Sequence, residues 1–379
     1  MDALPLSGRR ILDLSRVLAG PLATQILGDL GADVIKVERP GEGDETRGWG
    51  PPFVGSDAAY FFALNRNKRS IEVDLKTEKG VATIRRLAAD ADVLIENFRP
   101  GLIAELGLDL VELRRAHPRL ITCSLTAFGE DEAGATRPGY DIIVQALSGL
   151  MSVTGEPDRD PVKVGVALLD EITGLYAAIG ILAALDERSR TGEGRHVAVS
   201  LFDASASAMV NQAANHLLGG VVPGRMGTAH PNICPYQAFR GSDRAFIVAA
   251  GNDRLFRRTC EVVGRPDLAE DPRFLTNEER VRHRDELVPL LEAAFATKPA
   301  DEWIASLEAV AVPCAPIRSI DEVFTSPEGA PLVESVDDPA RGTTLSLVRS
   351  PIRLDGRAPS TRRPPPLLGE HTDEVLGET

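Results

Sequence analysis

RILDLSRVLAGPLATQILGDLGADVIKVE, residues 10–38, reads as strand, turn, helix and strand. Residues 10–14 are a short, mostly apolar run suited to a strand. Ala19-Gly20-Pro21 makes a turn, with Pro21 at a first helical position, where its missing N–H leaves no bond unmade. Residues 22–30 space their apolar side chains as a helix does, and Gly31 is a natural helix stop. Residues 33–38 form the second strand. A strand–helix–strand unit this short implies parallel strands joined by a right-handed crossover, and so an α/β fold.

The pattern continues outward. Strands are expected at 70–74, 92–96, 120–125 and 196–200, and helices at 78–89, 141–151, 169–187 and 202–218. The junctions Glu38-Arg39, Asp74-Leu75-Lys76, Glu96-Asn97-Phe98-Arg99 and Thr126-Ala127-Phe128-Gly129 then share one end of the sheet, the carboxyl edge where open α/β sheets bind ligands. Residues 221–235 are rich in Gly, Pro and Asn and read as a linker. Beyond them, alternation over 238–250 and helical spacing at 254–263, 285–296 and 300–310 indicate a second, smaller α/β domain over about 230–325. The prolines of 362–368 keep that segment extended.

Composition narrows the function classes. Net charge is −14, which argues against nucleic acid as a partner. The first 70 residues hold nine acidic and nine basic side chains, so the excess acid lies beyond them. Within this neutral part, Asn65-Arg66-Asn67-Lys68-Arg69 is locally basic, and reads either as a solvated turn or as a site for a small polyanion. The four cysteines, Cys123, Cys234, Cys260 and Cys314, are scattered without a CxxC pair. Neither a disulfide framework nor a zinc site is expected, and a reducing, cytoplasmic setting fits. No apolar run approaches the roughly 20 residues that span a bilayer. The most apolar stretch, 175–185, reads as a buried helix, and residues 1–10 lack a secretory pattern.

Several chemistries drop out. The first turn, Asp13 to Pro21, lacks G-x-G-x-x-G, so Glu38 at the end of the second strand does not make a dinucleotide site. Neither a hydrolase elbow nor a P-loop is present. The six histidines show no metal-ligand spacing; His230, in the linker, is the one that stands apart. Asp170, in Leu168-Leu169-Asp170-Glu171, opens a helix. It reads as an N-cap, the commonest role of Asp there, or as a carboxylate nucleophile.

The ordered motifs extend this reading: Asp13 to Pro21, Leu27 to Glu38, Asn65 to Ser70, Glu96-Asn97-Phe98-Arg99-Pro100-Gly101, Gly139-Tyr140-Asp141, Thr191-Gly192-Glu193-Gly194 and Leu367 to Thr372. Together they resemble the family III CoA-transferases (CaiB/BaiF), the formyl-CoA and carnitine CoA-transferase group that also includes α-methylacyl-CoA racemase. The segments Gly227-Thr228-Ala229-His230-Pro231 and Ala250-Gly251-Asn252-Asp253 look most like the dicarboxylate branch, such as succinate–hydroxymethylglutarate CoA-transferase.

The resemblance implies a large Rossmann-like parallel-sheet domain plus a smaller α/β domain. The large CoA-binding domain would take 1–220, the small one 230–325, and 326–379 would return to the large one. It implies an interlocked-ring homodimer and an acyl-CoA substrate rather than a permanently bound cofactor or metal. It places the nucleophile at Asp170, with Glu171 the lesser choice, and CoA contacts at Val17, Ala19, Arg39, Leu75, Lys76, Asn97, Phe98, Arg99 and Tyr140. A water-shielding cover is expected from 221–235. Leu18 stands where formyl-CoA transferases place Gln, and Glu105 where they place Arg, which turns the expectation away from a formate–oxalate pair. The racemases have His where this chain has Tyr140, so acyl transfer is favoured over proton abstraction. The other readings are a racemase-like enzyme and a non-catalytic CoA-binding protein.

Overall fold

The computed structural model describes residues 4–131 and 134–377; the outermost ends of the expected 1–220 and 326–379 segments lie outside the described residues. The chain divides into two compact units. One comprises Met1–Leu150, Val164–Gly220 and Pro327–Thr379, the other Met151–Lys163 and Val221–Ser326.

The larger unit is built on six parallel strands: β1 (Arg10–Asp13), β2 (Asp33–Glu38), β3 (Lys68–Glu72), β4 (Val93–Glu96), β5 (Ile121–Thr126) and β6 (His196–Ser200). Their order is β3-β2-β1-β4-β5-β6, so the chain reverses direction across the sheet between β1 and β4. Successive side chains of a strand face opposite sides, and both sides are covered. Ile11, Val34, Ile95 and Cys123 face α1 (Ala19–Asp29) and α4 (Leu168–Thr191). Leu12, Ile35, Ile71 and Leu94 face α2 (Glu78–Ala89). The remaining helices that matter below are α3 (Asp141–Leu147), α5 (Leu201–Ala208) and α6 (Val210–Gly219).

Two readings change. The basic run at 65–69 is neither a solvated turn nor an open anion site. Its residues are buried, and its cations meet carboxylates distant in sequence: Arg66 with Asp29 at 2.5 Å, Lys68 with Asp13 at 3.2 Å and Arg69 with Asp33 at 2.6 Å. A single helix over 202–218 gives way to α5 and α6, with the break at Met209 between them and Val210, the first residue of α6, at a φ of +34°. By length and composition α4 is apolar enough to cross a membrane. Its buried residues recur every three or four positions (Thr173, Gly174, Ala177, Ala178, Ile181, Ala184, Leu185), which is the spacing of one face packed into a core. Glu38 is also accounted for: it is buried and grips Arg47 at 2.7 Å.

A hairpin absent from the sequence reading, Val333–Asp338 with Thr343–Val348, packs Val336, Leu345 and Leu347 on Phe62. The smaller unit has three antiparallel strands, Tyr236–Arg240, Ala245–Ala249 and Cys314–Pro316, with the second in the middle. Its core gathers Phe239, Phe246, Phe256, Phe274, Phe295 and Trp303.

Candidate active site

The loops after β1 and β4 flank the reversal point of the sheet, where side chains of both strands leave a crevice. The loop after β1 is held tightly. Asn97 Oδ1 accepts from Arg16 N at 2.9 Å, and Asn97 Nδ2 donates to Arg16 O at 2.7 Å. Lys36 Nζ donates to Ser15 O at 3.1 Å and to Asp44 Oδ2 at 2.8 Å, both ends of the pair fully buried. Burial alone would raise the Asp44 carboxyl; the Lys36 ammonium and the Thr46 donors outweigh it and hold it at about 2. Asp44 Oδ1 in turn accepts from Val17 N at 3.3 Å. These bonds offset a local cost, because Val17 sits at φ +69°, a conformation that strains a β-branched residue by about 1–3 kcal/mol.

The carboxylate Asp170 comes from the first turn of α4. It is not that helix's cap: Ala167 is the N-cap residue, and the capping oxygen belongs to Asp141. Asp141 Oδ1 accepts from Leu169 N at 2.9 Å and Asp170 N at 3.3 Å, while Gln145 Nε2 donates to Asp141 Oδ2 at 2.5 Å. Gln145 Oε1 accepts from Val164 N, which ties the approach to α4 into the same network. Among the described residues no hydrogen bond to the Asp170 side chain is formed. The capping work falls to Asp141, and the Asp170 carboxyl is free.

That carboxyl is half-buried, and its pKa is raised to about 7 by burial first, then by the negative fields of Asp141 and Glu171. Glu171 is shifted upward by burial and Asp141. The Tyr60 hydroxyl is pushed up to about 12 by burial and then by Asp170, so it remains a hydrogen-bond donor beside the acids. Trp49 meets Tyr60 edge-on with ring centroids 5.5 Å apart.

Two adjoining clefts result. One, of about 300 Å³, is lined by Val17, Leu18, Ala19, Asn97, Arg99, Tyr140 and Asp170, among others. The other, of about 360 Å³, is lined by Arg39, Leu75 and Lys76. Arg16 and Phe98 form a shared wall, the guanidinium 5.3 Å from the ring centre. The nine positions named as CoA contacts and Asp170 therefore all lie on this pair of clefts. Tyr140 is 67% exposed, whereas Asn97 uses its amide on the Arg16 backbone. Arg39 is engaged by Glu42 at 2.5 Å. Among the described residues no group of His, Cys, Asp and Glu is arranged to hold a metal.

The sequence profile of CoA-transferase family III matches residues 6–372. The chain belongs to this family. It is 46% identical over 99% of its length to a succinate–glutarate CoA-transferase of Agrobacterium fabrum, covering 95% of that protein. It is 44% identical over 99% of its length to a mouse succinyl-CoA:glutarate CoA-transferase, covering 86% of that one. The crystal structure of a CaiB/BaiF family protein from Brucella suis superposes with a TM-score of 0.86 at 45% identity, each chain covered completely. The chain is thus a CoA-transferase of the CaiB/BaiF type, acting on acyl-CoA and carboxylic acid substrates, with the α/β fold of that group.

Within the family III site, the sequence reading missed Arg16, Trp49, Tyr60, Arg137 and the capping role of Asp141. Arg16 and Asp141 sit beside residues that were singled out; Trp49 and Tyr60 carried no motif. Gly174 was also silent. It lies one turn beyond Asp170, where α4 crosses the start of α1, and a Cβ there would stand 2.6 Å from Ala19 O. Gly174→Ala would gain about 1 kcal/mol of helix propensity. Forcing two backbones apart costs about 1–3 kcal/mol. The expected result is a lower urea midpoint together with reduced turnover.

Proposed function

We propose that this CoA-transferase moves CoA between dicarboxylic acids, with succinyl-CoA or glutaryl-CoA as donor, through covalent intermediates on Asp170. The observation that carries the reading is a carboxylate without hydrogen-bond partners, held in the cleft that also carries the expected CoA contacts. Succinate and glutarate enter from the names of the relatives. Leu18 at the cleft, 7% exposed, gives an apolar wall suited to a methylene chain.

The chemistry needs no proton. An Asp170 oxygen attacks the acyl carbon of the thioester, the C–S bond breaks, and CoA leaves as thiolate from a mixed anhydride. The thiolate attacks the aspartyl carbon, and the donor acid leaves as carboxylate. The acceptor carboxylate then attacks the aspartyl thioester and expels the thiolate, which finally attacks the acceptor's acyl carbon and returns Asp170 as carboxylate. Covalent catalysis of this kind divides one transfer into exchanges between bonds of similar reactivity, and it requires that water be kept from the anhydride. Arg39 and Lys76 suit the CoA phosphates and Phe98 the adenine. We also propose a homodimer, supported by Leu175, Tyr176 and Ile179 on α4 and Leu217 and Leu218 on α6, all large apolar side chains left exposed.

Because Asp170 acts ionised and its pKa is raised to about 7, kcat/KM is expected to fall with acidification below about pH 7, about tenfold per unit. Asp141→Asn keeps an oxygen to cap α4 and removes a negative charge. The Asp170 pKa then drops and the acid limb moves to lower pH, though burial, the larger cause, remains. An unmoved limb would contradict this. The function itself is tested with succinyl-CoA and a panel of labelled carboxylates. Label entering new acyl-CoA, glutaryl-CoA above all, is expected; solvent deuterium entering the α-carbon without exchange would instead identify a racemase.

A further inference from the structure

A dicarboxylic acid brings the site a charge that the reaction never uses. One carboxylate is transformed, and the other stays anionic throughout. The surroundings of Asp170 are unfavourable to it, since Asp141 and Glu171 already raise the Asp170 pKa by their negative fields. A second anion placed near these acids needs a cation.

The lining of the Asp170 cleft contains three guanidinium groups, Arg16, Arg99 and Arg137. Two are engaged. Arg16 Nη1 bonds Glu45 Oε1 at 2.6 Å, and Arg99 is paired with Glu105. Arg137 has no carboxylate partner among the described residues. It lines the cleft of Asp170 and not the neighbouring one that carries Arg39 and Lys76.

Arg137 is exposed, and an aromatic ring positions it. The Arg137 guanidinium lies over Phe128 at 4.6 Å from the ring centre, and Phe128 packs on Phe202 of α5 with centroids 6.0 Å apart. The chain after Arg137 is pressed against the same ring, for a Cβ on Gly139 would lie 2.5 Å from Ala127 Cβ and 2.9 Å from a Phe128 ring carbon. Stacking occupies the face of the guanidinium and leaves its N–H edges free, and those edges bind a carboxylate through two parallel hydrogen bonds.

We propose that Arg137 anchors the remote carboxylate of the dicarboxylic substrate and so sets the preference for dicarboxylic over monocarboxylic acids. The proposal rests on the reading of the Asp170 cleft as the site of acyl transfer. It assigns Arg137 a binding role at the substrate end that does not react.

The test is steady-state kinetics with glutarate and with pentanoate, a monocarboxylate of the same chain length, as acceptors. Arg137→Ala is expected to raise KM for glutarate about tenfold to a hundredfold, as loss of a charged hydrogen-bond pair does, and to leave the KM for pentanoate unchanged. Arg137→Lys should recover part of the loss. Equal effects on both acids would overturn the assignment, as would a glutarate-selective loss in Arg16→Met with none in Arg137→Ala. A wild-type protein that exchanges CoA with neither acid overturns the underlying reading of the cleft instead.

Discussion

Asp170→Ala is expected to lower CoA exchange by at least about ten-thousandfold, the scale on which loss of a covalent nucleophile is felt, with CoA affinity unchanged. The structure separates this loss from misfolding. Asp141 accepts from the backbone N–H groups of Leu169 and Asp170, and those donors persist when the side chain at 170 is alanine. The carboxyl removed is one that burial and two like charges disfavour in its ionised form, so its removal does not destabilise the unit, and alanine favours the helix. Wild-type turnover in this variant would refute the assignment, and the same collapse in Glu171→Ala alone would move it by one residue. Asp170→Asn is a weaker probe, because the amide can hydrolyse back to the acid.

The second large effect lies beneath the site. Asp13, at the end of β1 and fully buried, accepts from Lys68 Nζ at 3.2 Å, Thr24 Oγ1 at 2.6 Å and Ser15 N at 2.9 Å. Burial pushes its carboxyl up, and Lys68 and Lys36 outweigh that and leave it lowered. Asp13→Ala leaves the Lys68 ammonium in the core without its carboxylate, with only the neutral acceptors Pro21 O and Asn65 Oδ1, where burial already brings its pKa down to about 8. Removing one partner of a buried pair costs about 3–5 kcal/mol. A large fall in the urea midpoint is the expected result, and the double change Asp13→Leu with Lys68→Met should recover much of it, since apolar replacement of both partners is often neutral. A carboxyl whose folded pKa lies below its unfolded value contributes stability above the unfolded pKa and loses it as pH falls through the folded one. The difference between wild type and Asp13→Ala should therefore shrink in acid. A midpoint unmoved at neutral pH would contradict the account of this pair.

The parallel sheet was legible because its inner strands are covered on both faces and so read as apolar runs bounded by glycine and charge, while the half-exposed edge strand 196–200 reads by alternation. Strands 33–38 and 196–200 and the helix 78–89 stand where the spacing put them. The hairpin of 333–348 was not legible, since its first strand carries three acids, Glu334, Asp337 and Asp338, and buries only Val336 among its apolar side chains. Charge was misread wherever its partner was remote. Arg66 finds Asp29 37 residues away and Lys68 finds Asp13 55 away, so a run that looks basic in sequence is neutral in space. The same holds for the cap of α4, supplied by Asp141 from 28 residues upstream of Leu169. Asp170 thus gains its candidacy from an interaction that local sequence does not show: another carboxylate does the capping.

The most direct test is to mix the enzyme with succinyl-CoA in the absence of an acceptor, quench in acid, digest, and sequence the peptide around residue 170 by mass spectrometry. The expected result is CoA joined as a thioester to the Asp170 side chain, removable by hydroxylamine and absent from Asp170→Ala. CoA attached to Glu171, or an active enzyme with no adduct on any carboxylate, would contradict Asp170 as the nucleophile.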